Sequence, residues 1–370
     1  MQRLERWARG QQVFKAIAGL MILLLSSGCS SFGPATVNRD RFDYITAISD
    51  SWKKQTLLNI VKMRYADAPV FLEVGQVISG YEVEGSLSAG GTIGNKTAPG
   101  ALGDFVNLGA GGRYVDRPTV TYAPLTGPDF IKTMMTPFPP GALMFLIEAG
   151  WSVNLIMQVG LQAINGLWNH KGGFVGHPVD PEFVQLVQSL RRLQEAGALG
   201  VSLKRENNNE DVTMLFFHTR RLKAELAQDV ATVRQLLRIQ PDAQEVRITY
   251  GADAHATNEV ALLTRSGFQV MMELASLATV PSEHIAERRT FGVTHKAADE
   301  KPALPPLMVI GSQVEEPADA FVKIRYRDWW FFIDDREFQS KRVFTFLMVL
   351  FTLSETGQKL QQPILTIRAN

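Results

Sequence analysis

One segment, residues 83–114, constrains the fold more than any other, because it alternates in character on both sides of a single turn region. From Val83 to Ile93 one parity reads Val, Gly, Leu, Ala, Gly, Ile, and the other carries Glu84, Ser86, Ser88, Gly90 and Thr92. Residues 94–104 are rich in Gly, Pro and Asn. Beyond them Val106, Leu108, Ala110, Gly112 and Tyr114 alternate with Asn107, Gly109, Gly111 and Arg113. Successive strand residues lie on opposite faces, so period two on both arms predicts an amphipathic hairpin. One face is apolar and built of small residues, with Val83, Leu87, Val106, Leu108 and Tyr114 as its larger members. The other is polar.

Around this hairpin the chain reads as α+β, with helices packed on an antiparallel or mixed sheet. Residues 38–65 show helical spacing of Ile45, Ile48, Trp52, Ile60 and Met63, with Asp40 as a cap and a stop at Ala66-Asp67-Ala68-Pro69. Strands are expected over 70–83 and 117–125. Thr126 is placed to cap a very apolar helical stretch, 128–168, broken at 136–141 and at Gly150. Further on, helices are expected over 181–196, 221–239, 258–279 and 336–353. Strands are expected over 199–205, 212–218, 245–250, 321–326, 329–333 and 364–367. The loop at 171–178 separates two regions, 38–170 and 179–370, and 294–306 reads as a linker.

The first residues carry a different signal. Arg3, Arg6, Arg9 and Lys15 precede an apolar stretch, 16–25, too short to span a membrane permanently. Ser26-Ser27-Gly28-Cys29 then resembles the motif at which lipoproteins are cleaved and acylated, although Leu25 sits one place earlier than usual. This predicts a signal peptide over 1–28, lipidation of Cys29 and a tether over 29–37. Ordinary cleavage near Gly28, leaving a free thiol, is the alternative. Cys29 is the only cysteine among 370 residues, so one chain can build neither a disulfide nor a cysteine metal site. Ser30 fits sorting to the outer membrane, where the anchored chain would face the periplasm. Residues 1–28 hold four of the 38 basic and one of the 37 acidic residues, leaving 34 against 36. A chain so nearly neutral lacks the basic footprint of a nucleic-acid binder.

Four stretches carry a resemblance: Asn38-Arg-Asp-Arg-Phe-Asp-Tyr44, Leu58-Asn-Ile-Val-Lys-Met-Arg-Tyr65, Asp116-Arg-Pro-Thr-Val-Thr-Tyr-Ala-Pro-Leu-Thr-Gly127 and Trp329-Trp-Phe-Phe-Ile-Asp-Asp-Arg336. In these the chain resembles a family of uncharacterised proteobacterial lipoproteins. The resemblance implies a location in the cell envelope and supplies no functional residues.

Chemical motifs are sparse. The six histidines, His170, His177, His218, His255, His284 and His295, show no zinc-like spacing, and no cofactor or phosphate-binding fingerprint is present. Asp334, Asp335 and Glu337 suit a capping box at the last helix better than a catalytic acid cluster. Tyr326, Trp329, Trp330, Phe331 and Phe332 suit a core better than a ligand platform. Two functions follow as expectations. The first is a non-enzymatic, membrane-anchored lipoprotein that binds an envelope partner or oligomerises through 83–114; the alternative for that segment, favoured by a small-residue face that gives little burial energy, is a hairpin packed on its own domain or a mobile surface loop. The second is a periplasmic hydrolase of cell-wall or envelope carbohydrate, with acids among Asp334, Asp335 and Glu337. No catalytic residue, metal or cofactor is assigned in the first.

Overall fold

The computed structural model describes residues 34–78, 81–92, 105–116, 119–169, 178–205, 211–218, 223–292 and 306–354. The expected signal peptide, Cys29, the turn expected at 93–104, the 294–305 part of the expected linker and the strand expected at 364–367 lie outside them. The chain is α+β, and it divides into two units, residues 1–54 and 55–370.

Helix α1, Pro34–Arg64, begins inside the expected tether, so Asp40 is a helical residue rather than its cap. Within the first unit it leaves Phe42 and Ile45 exposed. Within the second it buries Leu57, Ile60 and Val61 completely. It ends where the sequence suggested. The Ala66 amide bonds Met63 O and the Asp67 amide bonds Lys62 O, with Ala66 in the left-handed region at φ 55°. That paired pattern satisfies carbonyls a helix end otherwise leaves open, here with alanine where glycine is usual.

Strands β1 (Leu72–Ile78), β2 (Tyr81–Thr92), β3 (Phe105–Asp116) and β4 (Thr119–Pro124) follow. A short helix, α2 (Gly127–Phe130), runs into a wider turn over Ile131–Met135. Thr126 stands at its N-cap position with extended backbone, but its side chain makes no capping bond. Helices α3 (Pro140–Glu148) and α4 (Val153–Gly160) match the expected breaks.

Residues 161–168 do not continue as helix. They form β5 (Leu161–Ile164) and β6 (Leu167–Trp168), joined by Asn165 and Gly166 at φ 45° and 79°. Asn-Gly supplies the two left-handed residues that a tight hairpin needs, so a local signal for this turn was present.

Helix α5 (Pro181–Glu195), β7 (Leu199–Arg205), β8 (Asp211–Phe217), α6 (Ala224–Leu236) and β9 (Glu245–Tyr250) fall close to expectation. The expected helix over 258–279 does not. Its first part is β10 (Glu259–Thr264), and only Gly267–Ser276 is helical, as α7. A short buried apolar run has no period that separates strand from helix. Pairing decided it: β10 lies parallel to β9 and antiparallel to β5. Ser266 and Gln269 form a true capping box at α7.

The resulting sheet has the order β6-β5-β10-β9-β8-β7, so it draws strands from both regions separated by the 171–178 loop. Helix α3 crosses it, touching β7, β8, β9 and β10. Val260, Ala261 and Leu262 at its centre are buried. Arg265, buried at the start of α7, donates to Gln158 O at 2.9 Å and lies 3.6 Å from Glu273. It ties the end of α4 to α7.

After α8 (Ser282–Ala286), a second sheet has the order β11-β13-β12, from Gly311–Gln313, Trp329–Asp334 and Ala320–Tyr326. Helix α9 (Phe338–Ser354) completes the described chain and buries Val343, Phe344, Phe346, Leu347 and Leu350. Phe331 and Ile333 are buried on one face of β13, while Trp330 and Phe332 on the other are half-buried.

Candidate functional site

Strands β1 to β4 form two ladders, β1 with β4 and β2 with β3, both antiparallel. Their registers agree. Ile78 faces Thr119 and Tyr81 faces Asp116, with two residues intervening on each arm. The inner ladder runs from Leu72 and Pro124 to Ile78 and Thr119, with a bulge between Val74 and Gln76, and the outer one from Tyr81 and Asp116 to Thr92 and Phe105; together the two ladders are called the ribbon. Its outer ladder has twelve pairs, or about 40 Å at ~3.4 Å per residue.

The register decides which residues share a face. Tyr81, Val83, Gly85, Leu87, Ala89 and Gly91 oppose Asp116, Tyr114, Gly112, Ala110, Leu108 and Val106 in turn. Directly opposed residues lie on the same face of a ladder. Thus residues 83, 87, 106, 108 and 114 are brought to one face, and that face carries a single charged position, Asp116 at its base. In the inner ladder Val77 opposes Val120.

The opposite face is polar between its two ends, where Val115 and Phe105 stand. Glu84 lies 4.0 Å from Arg113, and Ser86 and Ser88 donate to the carbonyls of Gly111 and Gly109 at 3.4 Å. A Cβ on Gly109 or Gly111 would stand within 3 Å of the opposing serine hydroxyl, so these glycines leave the hydroxyls room.

Among the described residues the β4 side of the ribbon's inner end is uncovered, whereas Val74 and Val77 of β1 are half-buried. All six residues of β4 are exposed, Tyr122 at 55% and Val120 at 36%. Among the described residues each ribbon strand pairs only with its hairpin partner, so both edges are open. Open edges present unpaired amides and carbonyls, and a two-stranded hairpin alone is marginally stable in water.

The root of the ribbon is held by two amides the sequence reading did not single out. Asn59 exchanges two bonds with the backbone of Val70, at 2.8 and 2.9 Å. Gln55, one helical turn earlier, does the same with Leu72 at 3.1 and 3.0 Å. Residues four apart on a helix are neighbours, so the pair mimics a strand edge. From the other side Leu125 donates to Phe71 O at 2.9 Å. Two amides at i and i+4 just before a strand are the only sequence trace of this clamp.

The acids of the hydrolase reading are placed otherwise. The Asp334 carboxylate accepts from the Arg336 amide at 2.8 Å, closing a turn before α9 instead of capping it. Asp335 accepts from Lys341 at 2.8 Å, and Glu337 is exposed. A cleft of about 440 Å³ lies nearby, walled by Trp151, Phe321, Phe338, Lys341, Arg342 and Thr345. None of the three acids lines it. Among the described residues no group of His, Asp and Glu is arranged to hold a metal ion. No described helix is long and apolar enough to cross a membrane, which says nothing about strands.

No family model, curated protein or solved structure matches the chain. The resemblance drawn from the 38–44, 58–65, 116–127 and 329–336 motifs rests on those motifs alone.

Proposed function

We propose that this protein is an outer-membrane-anchored lipoprotein, facing the periplasm, that works by assembly through its ribbon. In this reading the ribbons of several copies pair edge to edge and close a barrel. The observation that carries it is the register, which brings the apolar parity of both arms to a single face along twelve pairs. A spanning strand needs ~9–11 residues tilted by ~45°, and the outer ladder has that reach. A lone ribbon cannot lie in lipid with open edges, so crossing requires a ring of copies. The clamp by Gln55 and Asn59 fits the same role, because it fixes the direction in which the ribbon leaves α1.

The test compares charge on the two faces. Leu87→Lys and Leu108→Lys are expected to break a large detergent-extracted particle into smaller ones, whereas Ser86→Lys and Asn107→Lys leave its mass unchanged. A buried Lys at mid-membrane costs ~2–4 kcal/mol per copy. A monodisperse monomer for wild type and all four variants would remove the assembly reading. Anchoring is tested apart: Cys29→Ser should abolish incorporation of labelled fatty acid, and equal labelling of both proteins would contradict lipidation at Cys29.

A further inference from the structure

The last residue of α1 presents an anomaly unrelated to the ribbon. Arg64 is fully buried, and its Nε, Nη1 and Nη2 have no hydrogen-bond partner. The Phe291 ring covers the guanidinium, 3.9 Å from Cζ to the ring centroid. Thr290, the residue before it, donates its hydroxyl to Arg64 O at 2.6 Å, so the cover is latched to the helix end. Burial lowers the guanidinium pKa to about 10, and at neutral pH the group still carries its charge.

The surroundings add positive charge. Tyr65 lies with its hydroxyl 2.7 Å from Nδ1 of buried His284. Arg327 stands 5.1 Å over the Tyr65 ring, and Arg64, Arg289 and Arg327 all act on that phenol. The nearby acids face other groups than Arg64: Asp67 accepts from Tyr326, Glu283 accepts from Trp329 and lies 3.9 Å from His284 Nε2, and Glu287 pairs with Arg289. Of the six left-handed non-glycine residues described, Ala66, Arg288, Arg327 and Asp328 lie within this cluster or beside it in the chain. Such conformations cost energy and persist where the surroundings impose them, often at binding sites. A buried cation without a counter-charge is strongly unfavourable, and buried donors in native proteins find acceptors.

We propose that Arg64 is the receptor of a carboxylate, admitted when Phe291 lifts and enclosed when it closes. The planar guanidinium matches the two oxygens of a carboxylate. A closed site next to an aromatic ring favours a small monoanion over phosphate, which loses more hydration on entry. The carboxylate belongs to a small free acid or to the end of a peptide; the shared chemistry is the fork on Arg64. This inference is independent of the assembly reading.

The test is thermal unfolding of purified protein at constant ionic strength, with sodium chloride replaced stepwise by sodium acetate. Wild type is expected to gain about 2–4 °C and then saturate, as for a ligand held by the native state alone. Arg64→Met should not respond, and in chloride it should melt no lower than wild type, since it removes an uncompensated charge. A parallel rise in both proteins would overturn the proposal. So would a larger shift with inorganic phosphate than with acetate. If Arg64→Met does not fold, calorimetric titration of acetate into wild type and Arg64→Lys decides. Saturable heat in wild type alone supports the site, and no heat in either, or equal heat in both, removes it. A capped peptide ending in a free carboxylate, compared with its amide, distinguishes the two sources: binding of the free-acid peptide alone assigns a chain end, and no response to it beside a response to acetate assigns a small acid.

Discussion

The six-stranded sheet and the ribbon are both built largely from antiparallel strands, yet they treat their apolar residues in opposite ways. In the sheet, β10 is flanked by β5 and β9 and crossed by α3, and Val260, Ala261 and Leu262 are buried. In the ribbon, β4 has one neighbour, and every one of its residues is exposed. The sheet draws its stability from burial within the chain. The ribbon has hydrogen bonds, its β4 strand is exposed throughout, and its apolar face is made largely of Gly, Ala and Val, which release little energy when buried.

Core truncation should show this difference most strongly. Leu262→Ala, at a fully buried position, is expected to cost ~2–5 kcal/mol in denaturant unfolding. A cost under 1 kcal/mol would mean that the sheet centre is less tightly packed than the geometry indicates.

An intermediate effect is expected at a buried carboxylate between α5 and α6. Asp229 accepts from Arg192 at 2.6 and 2.8 Å and from Ser189 at 2.9 Å. The Arg192 bonds hold its carboxyl below the ordinary 3.8, with burial opposing and Ser189 assisting. The folded pKa is depressed, so this contribution is present above pH 3.8 and is lost as pH falls through the folded value. Asp229→Asn should lower stability at pH 7 by on the order of 1 kcal/mol, since Arg192 is half-exposed and screened. It should also flatten the fall of stability below pH 4, measured by unfolding across pH. An unchanged acid limb would contradict this.

The smallest effect on folding should come from the ribbon. Tyr122→Ser is expected to change unfolding of the body by less than ~0.5 kcal/mol, as for an exposed residue. A loss comparable to that of Leu262→Ala would show that the ribbon's inner end is covered after all.

Several elements were legible because their signals are local. Pro181 opening α5, the Trp329–Asp334 strand beside Ala320–Tyr326, and the stop of α1 at Ala66 each depend on residues within a few positions. The parity of residues 83–114 was equally plain, because it needs only a period of two. Misreadings arose where distant residues decided. Leu161–Ile164 and Glu259–Thr264 became strands by pairing with each other across about a hundred residues. Asn165-Gly166 did announce its turn, but the apolar run before it favoured helix. Asp334 lost its expected cap because α9 starts at Phe338, leaving the carboxylate to the Arg336 amide.

What the sequence determined by itself was periodicity and punctuation: which residues alternate, where helices stop, and that Cys29 stands alone. These follow from short-range backbone geometry, which any chain carries in its local order. Tertiary structure decided the register that puts residues 83, 87, 106, 108 and 114 on one face. It also decided the amide clamp from Gln55 and Asn59, and the burial of Arg64 beneath Phe291. Each depends on the meeting of groups from separate parts of the chain. Arg64 and Phe291 are 227 positions apart in sequence and 3.9 Å apart in space. A contact of that kind has no local period to betray it, because it exists only once the core has closed around it.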